Sequence, residues 1–181
     1  MGEYVALLRG INLGGKRMKM EELRQMFGDL GFSKVSTLLA SGNVVFESEQ
    51  KDPGQMRKRI EAAIEASFGF SSRVIVRSAR EIADLVAAEP FAGLEGSKDA
   101  RLHISFLAEA ASGGPEIPYR SPDGVYQIVK AGPGYLAGVV SPSPGSGTPD
   151  YMDFLTRQYG EDVTTRTWNT VLKIHARMQP G

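Results

Sequence analysis

The chain has 181 residues, of which 41% are hydrophobic and 23% are charged, as is typical of a folded globular protein. Lysine and arginine balance aspartate and glutamate at 21 each, which argues against a protein that coats nucleic acid or anionic membrane. The absence of cysteine excludes disulfides, thiolate metal sites and cysteine nucleophiles. No signal peptide and no apolar run long enough to span a membrane is recognisable, so we expect a cytoplasmic protein without a membrane partner.

The first half of the chain predicts the order strand, helix, strand, strand, helix, strand. The predicted strands cover residues 4–9, 35–40, 44–47 and 73–77, and the predicted helices cover residues 20–30 and 53–68. A Ser-Gly-Asn turn joins the second and third strands, because glycine and asparagine tolerate positive φ. Asp52 is predicted as the N-cap of the second helix, with Gln55 completing a capping box.

The second half predicts a less regular copy of the same order. Ser78 and Glu81 form a capping box that opens a helix ending before Pro90. The predicted strands cover residues 101–106, 125–129, 135–140 and 162–166, and two helices begin near residues 148 and 168. A shrunken helix is expected over residues 109–114. Alternation places His103 on the polar side of a half-buried strand, and Trp168 and Leu172 are predicted to lie in the core.

These patterns together predict an α+β fold with two ferredoxin-like (βαββαβ, α-β plait) subdomains, the second incomplete and followed by a C-terminal helix. We place the first subdomain at residues 1–78, a helix and linker at 79–100, and the second subdomain with its C-terminal helix at 101–181.

A glycine-rich loop after the first strand is the main candidate for a ligand site. Residues 10–17 nearly match the phosphate-binding pattern GxxxxGK[ST], but Arg17 replaces the hydroxyl that would hold magnesium, and the helical pattern begins late. In a βαββαβ unit this loop and the turn between the second and third strands lie at one edge of the sheet. The predicted ligand-binding residues there are Arg9, Gly10, Asn12, Gly14, Gly15, Lys16, Ser41 and Asn43.

Such a set of amides, hydroxyl and cations suits a small anion that carries phosphate or carboxylate. The alternative is that the glycines serve turn geometry only, beside solvated charges.

A second group of candidate residues lies near the C-terminus. Asn169 and Lys173 share one helix face at i, i+4, and Arg166 comes just before the helix. This polar face could complete an anion site, or it could belong to an ordinary amphipathic helix capped by Thr167 or Thr165. The two histidines, His103 and His175, match no metal spacing, so no metal site is predicted. No cofactor and no catalytic residue can be named.

Four segments carry a resemblance to a known family. They are VALLRGINLGGKRMKMEEL at residues 5–23, ASGNVVF at 40–46, VRSAREI at 76–82 with Pro90 and Phe91, and TTRTWNTVLKI at 164–174. The chain resembles an uncharacterised bacterial family, domain-of-unknown-function family 1697. The resemblance implies two ferredoxin-like α/β subdomains and no particular activity. Ala40, Thr167 and residues 141–148 depart from the family pattern, which implies an altered ligand or a weakened site.

The sequence leaves several functions open. The first is binding of a small anionic metabolite or nucleotide at the glycine-rich loop. The alternatives are a transferase-type enzyme that acts by electrostatic positioning, and a protein-interaction or regulatory domain, for which a homodimer is conceivable. Nucleic-acid binding fits poorly, because the net charge is zero and the strands lack an evident pair of stacking aromatics.

Overall fold

The computed structural model describes residues 1–11, 14–15, 17–39, 42–94, 100–108, 114–141 and 148–178. Within these residues the chain forms nine strands and five helices, and the strands belong to two antiparallel sheets. The predicted α+β class is therefore confirmed. No helix in this part of the chain is both long and apolar enough to cross a membrane.

The chain divides into two compact units. The first comprises Met1–Ala83 and Lys173–Gly181, and the second comprises Asp84–Leu172. The subdomain limits inferred from the sequence, residues 1–78 and 101–181, stay a prediction.

The first unit follows the predicted βαββαβ order. Its elements are β1 (Gly2–Leu8), α1 (Met20–Asp29), β2 (Ser33–Leu38), β3 (Asn43–Ser48), α2 (Pro53–Phe68) and β4 (Val74–Ser78). The sheet has the order β2-β3-β1-β4, and every neighbouring pair is antiparallel. β3 therefore lies between β1 and β2, so the end of β1 and the β2–β3 turn meet at the same end of the sheet.

Alternating residues of β1 build the core of this unit. Tyr4, Ala6 and Leu8 face a cluster that includes Phe46 of β3 and Phe27 of α1. Both helices contribute, because their apolar stripes cover the same face of the sheet. Val5 and Leu7, which point to the other face of the sheet, are also buried, so β1 is covered on both faces.

The second unit repeats this strand order with one added strand. After α3 (Ala79–Ala87), which crosses the unit limit, come β5 (Arg101–Leu107), β6 (Tyr119–Arg120), β7 (Tyr126–Gly132), β8 (Tyr135–Val140), α4 (Thr148–Tyr159), β9 (Val163–Thr167) and α5 (Trp168–Arg177). The sheet order is β6-β7-β8-β5-β9. Without β6, which the sequence did not predict, this order matches β2-β3-β1-β4.

No helix joins β5 to β7 in the described residues. Most of the shrunken helix predicted at 109–114 lies outside the described residues.

The second unit buries both faces of β5. Leu107 packs with Tyr151 and Leu155 of α4 on one face, while Ile104 and Phe106 are buried on the other. The expectation of a half-buried strand is therefore wrong.

Candidate functional site

The end of β1 lies between two other segments at one end of the first sheet. The Leu8 N–H donates to the Gly42 carbonyl at 2.8 Å, which ties β1 to the β2–β3 turn. On its other side, the Arg9 N–H donates to the Arg73 carbonyl at 2.8 Å. The end of β1 is therefore a neighbour of both Gly42 and Arg73, which are distant in sequence. The sequence analysis expected the first of these contacts, between the end of β1 and the β2–β3 turn.

Gly42 occupies a crowded and left-handed position in this arrangement. Its φ is +76°, and a Cβ added there would lie 2.8 Å from Ile11 Cδ1 and 3.0 Å from Leu8 Cβ. A side chain at this position would displace the Ile11 side chain, crowd Leu8 and strain the left-handed backbone, so glycine suits this close approach.

Gly10, Gly14 and Gly15 also have positive φ values, but open space surrounds the position that a Cβ would take. All three are exposed, and Gly14 and Gly15 form a turn. Exposed turns of this kind present backbone N–H groups to solvent, where an anion can accept from them.

Asn43 is fully buried at the start of β3, where its side-chain amide donates to the Leu38 carbonyl at 2.9 Å. This hydrogen bond holds the β2–β3 turn together. The predicted ligand residues Asn12, Lys16 and Ser41 lie outside the described residues.

Ser72 and Arg73 belong to the same region, although the sequence analysis did not select them. The buried Ser72 hydroxyl donates to the Arg9 carbonyl at 2.8 Å. The Arg73 side chain is 52% exposed, and its Nη1 lies 4.0 Å from Glu61 Oε2. The other oxygen of Glu61 accepts from the Val74 N–H at 2.9 Å. The βαββαβ order implies that β4 pairs with β1, and this pairing could have shown that Ser72 and Arg73 lie beside the end of β1.

The C-terminal candidates occupy different environments. Arg166 on β9 is buried, and its Nη1 donates to Thr164 Oγ1 and to the Thr165 carbonyl, both at 2.9 Å. Burial lowers the pKa of Arg166 to about 10. Asn169 and Lys173 are exposed on α5. Arg166 and Asn169 belong to the second unit, whereas the loop after β1 belongs to the first.

Thr167 caps α5, as one of the two alternatives predicted. The Thr170 N–H donates to Thr167 Oγ1 at 3.3 Å, and the two hydroxyl oxygens are 2.9 Å apart. This cap is consistent with an ordinary amphipathic helix at this position.

An acidic groove of 380 Å³ lies between α1 and the end of α2. It is lined by Glu21, Glu22, Gln25, Met26, Asp29, Ser67 and Phe68. Glu21 pairs with Arg24, and Glu22 lies 3.5 Å from Lys19, so both carboxylates already have partners. Its acidic rim would repel an anion. Among the described residues, no group of three or more histidine, aspartate or glutamate side chains could hold a metal ion.

Residues 1–119 match the sequence model of the family described as "Protein of unknown function (DUF1697)". The chain belongs to this family. The match contains the first three of the four segments that suggested the resemblance, whereas the segment at 164–174 lies beyond it. The description of DUF1697 names no activity, so membership assigns no function to the site.

A solved structure resembles this DUF1697 member over nearly its whole length. It is described as "conserved bacterial protein SP0830 from Streptococcus pneumoniae", with 22% sequence identity and a TM-score of 0.69. The alignment covers 98% of this chain and 99% of the other, so the two proteins share the fold of both units. The comparison with curated proteins gave no match.

Proposed function

We propose that this DUF1697 member binds a small anionic ligand, carrying phosphate or carboxylate, at the end of β1. The observation that carries the proposal is the pairing of Arg9 with Arg73 through the 2.8 Å main-chain hydrogen bond, beside the turn that contains Gly42. Two guanidinium groups thus start from adjacent positions at the edge of a loop rich in glycine.

Electrostatics support an anion at this place. Leu8 pairs with Val74, and the Arg9–Arg73 hydrogen bond continues that register by one residue. Residues directly opposite each other on antiparallel strands have Cβ atoms roughly 5 Å apart, and like charges in such a pair repel. An anion between the two guanidinium groups would accept charge-assisted hydrogen bonds from both, in addition to the Glu61 carboxylate that already lies 4.0 Å from Arg73 Nη1.

The backbone can add neutral donors. The exposed turn at Gly14 and Gly15 follows the same loop, and N–H groups in turns form concave anion sites. Lys16, Asn12 and Ser41 remain part of the proposal on the basis of their sequence positions alone. Asn43, whose side-chain amide holds the turn through the Leu38 carbonyl, also remains part of the proposal. A cytoplasmic location is also part of this proposal.

The test is binding of pyrophosphate and citrate, measured by titration calorimetry and by thermal unfolding. Both probes should bind the wild-type protein and raise its melting temperature. Arg73→Gln and Arg9→Gln should each weaken binding by about tenfold or more, because each removes a charge-assisted hydrogen bond.

Arg80→Gln is the matched control, because Arg80 is an exposed arginine on α3 of the same unit. The control should bind both probes like the wild type. Equal affinities in the control and the two test variants would contradict the proposal.

A further inference from the structure

Glu61 is a fixed carboxylate beside Arg73, at the end of the first sheet where the anion site is proposed. It lies on α2, and its side chain is only 19% exposed. Its Oε1 accepts from the Val74 N–H at 2.9 Å, which anchors the carboxylate to the first residue of β4. Its Oε2 lies 4.0 Å from Arg73 Nη1, which is an ion pair at a distance too long for a hydrogen bond.

The second oxygen of this carboxylate is open to a further donor. Among the described residues, Glu61 Oε2 accepts no hydrogen bond. It is also absent from the described side-chain atoms that are both buried and without a partner, so solvent reaches it. A carboxylate oxygen in this position can accept a charge-assisted hydrogen bond from a cation that arrives from solvent.

The backbone beside Glu61 is held at three consecutive residues. The Ser72 hydroxyl donates to the Arg9 carbonyl at 2.8 Å, and the Arg9 N–H donates to the Arg73 carbonyl at 2.8 Å. The Val74 N–H donates to Glu61 itself. The carboxylate and the backbone of Arg73 therefore keep a fixed separation. A site whose charges are held before binding loses less free energy to ordering when a ligand arrives.

We infer that the ligand of the anion site is a small zwitterion, whose anionic group binds Arg73 and Arg9 and whose ammonium group binds Glu61 Oε2. This inference rests on the proposed anion site. A simple anion would meet attraction from Arg73 and repulsion from Glu61 at the same time. An ammonium group a few bonds away from the anionic group replaces that repulsion with a charge-assisted hydrogen bond.

The experiment compares 2-aminoethyl phosphate with ethyl phosphate by titration calorimetry. The two esters differ only in the ammonium group. The wild-type protein should bind 2-aminoethyl phosphate about tenfold more tightly than ethyl phosphate, because only 2-aminoethyl phosphate donates a hydrogen bond to Glu61.

Glu61→Gln should remove this preference. Glutamine keeps an oxygen that accepts from the Val74 N–H, so the anchor of β4 is retained while the charge is lost. Binding of 2-aminoethyl phosphate should weaken by about fivefold or more, and binding of ethyl phosphate should become no weaker, because the repulsion is removed. Glu65→Gln is the matched control, because Glu65 is exposed one turn further along α2, and it should keep the wild-type preference.

Three outcomes would overturn the inference. The first is equal binding of the two esters by the wild-type protein. The second is equal weakening of both esters by Glu61→Gln, which would show that Glu61 only anchors β4. The third is sedimentation of the protein with phosphatidylethanolamine vesicles without binding to free 2-aminoethyl phosphate, which would assign the same chemistry to a lipid headgroup.

Failure of the two proposals is distinguishable. If neither ester nor pyrophosphate binds, the anion site itself is wrong, and the inference fails with it. If both esters bind equally and Arg73→Gln weakens both, the anion site stands and the role of Glu61 is refuted.

Discussion

His103 on β5 is a buried histidine in a largely apolar environment. It is 6% exposed, its ring centroid lies 6.3 Å from that of Tyr151, and its Nε2 has no hydrogen-bond partner among the described residues. Burial lowers the pKa of His103 below its usual value of 6.5, and the nearby charge of Arg101 lowers it further. Alternation predicted a polar strand face at this position, but α4 covers that face.

This burial predicts a pH-dependent stability. Because the folded-state pKa of His103 is below 6.5, the folded protein favours the neutral imidazole. The stability contributed by the neutral form is complete above pH 6.5 and is lost as the pH falls through 6.5 toward the folded pKa. The free energy of unfolding in urea should therefore decrease from pH 7.5 to pH 5.

His103→Gln should reduce this slope, since glutamine does not titrate. The second histidine provides the comparison. If His175→Gln removes the slope and His103→Gln leaves it unchanged, the assignment to His103 is wrong.

At the scale of elements, the helix starts show how far a local pattern determines a local structure. At α3 the capping box is reciprocal: the Ser78 N–H donates to Glu81 Oε2 at 2.8 Å, and the Glu81 N–H donates to Ser78 Oγ at 3.2 Å. At α2 only half of the predicted box forms. Asp52 Oδ1 accepts from the Gly54 and Gln55 N–H groups, but Gln55 Oε1 accepts from Gln50 instead of closing the box.

These contacts predict different outcomes for the two helices. Asp52→Ala should lower the free energy of unfolding by about 1 kcal/mol, whereas Gln55→Ala should lower it by only about 0.3 kcal/mol. At α3, Ser78→Ala and Glu81→Ala should each cost roughly 0.5–2 kcal/mol, because each caps a backbone donor.

Urea unfolding of the four variants measures these differences. A cost for Gln55→Ala as large as that for Asp52→Ala would show that the box closes in solution.

The C-terminal helix shows the limit of helical periodicity. Val171 and Ile174 are buried, but Leu172, which the pattern placed in the core, is 39% exposed. Trp168 is half-buried, and its ring lies 5.4 Å from that of Phe91. A 3.6-residue period identifies an apolar stripe at least 100° wide, and the neighbouring elements decide which of its edges is covered.

At the scale of the whole molecule, the limit of the family match is not a limit of the fold. The match ends at residue 119, the first residue of β6. β5 is complete before that point, but it pairs with β8 on one side and β9 on the other, and both follow residue 119. A chain that ends there would leave both edges of β5 unpaired.

In a chain of residues 1–119, the segment after residue 84 should therefore fail to form its sheet, and the fragment should aggregate. Unpaired strand edges with apolar side chains template association between chains, and the second core would lack α4. Size-exclusion chromatography and thermal unfolding of the fragment and of the full chain test this. A monomeric fragment with a sharp unfolding transition would refute it.

The sequence by itself determined the local features. Cap residues, turn glycines and apolar periodicity gave the βαββαβ order of the first unit, because these signals depend on residues only a few positions apart. It also implied that the end of β1 and the β2–β3 turn are neighbours. The tertiary structure alone decided the rest: the pairing of Arg9 with Arg73, the position of Glu61 beside Arg73 and the burial of His103. Those features depend on strand register and on which face each helix covers, and the packing of the whole sheet sets both.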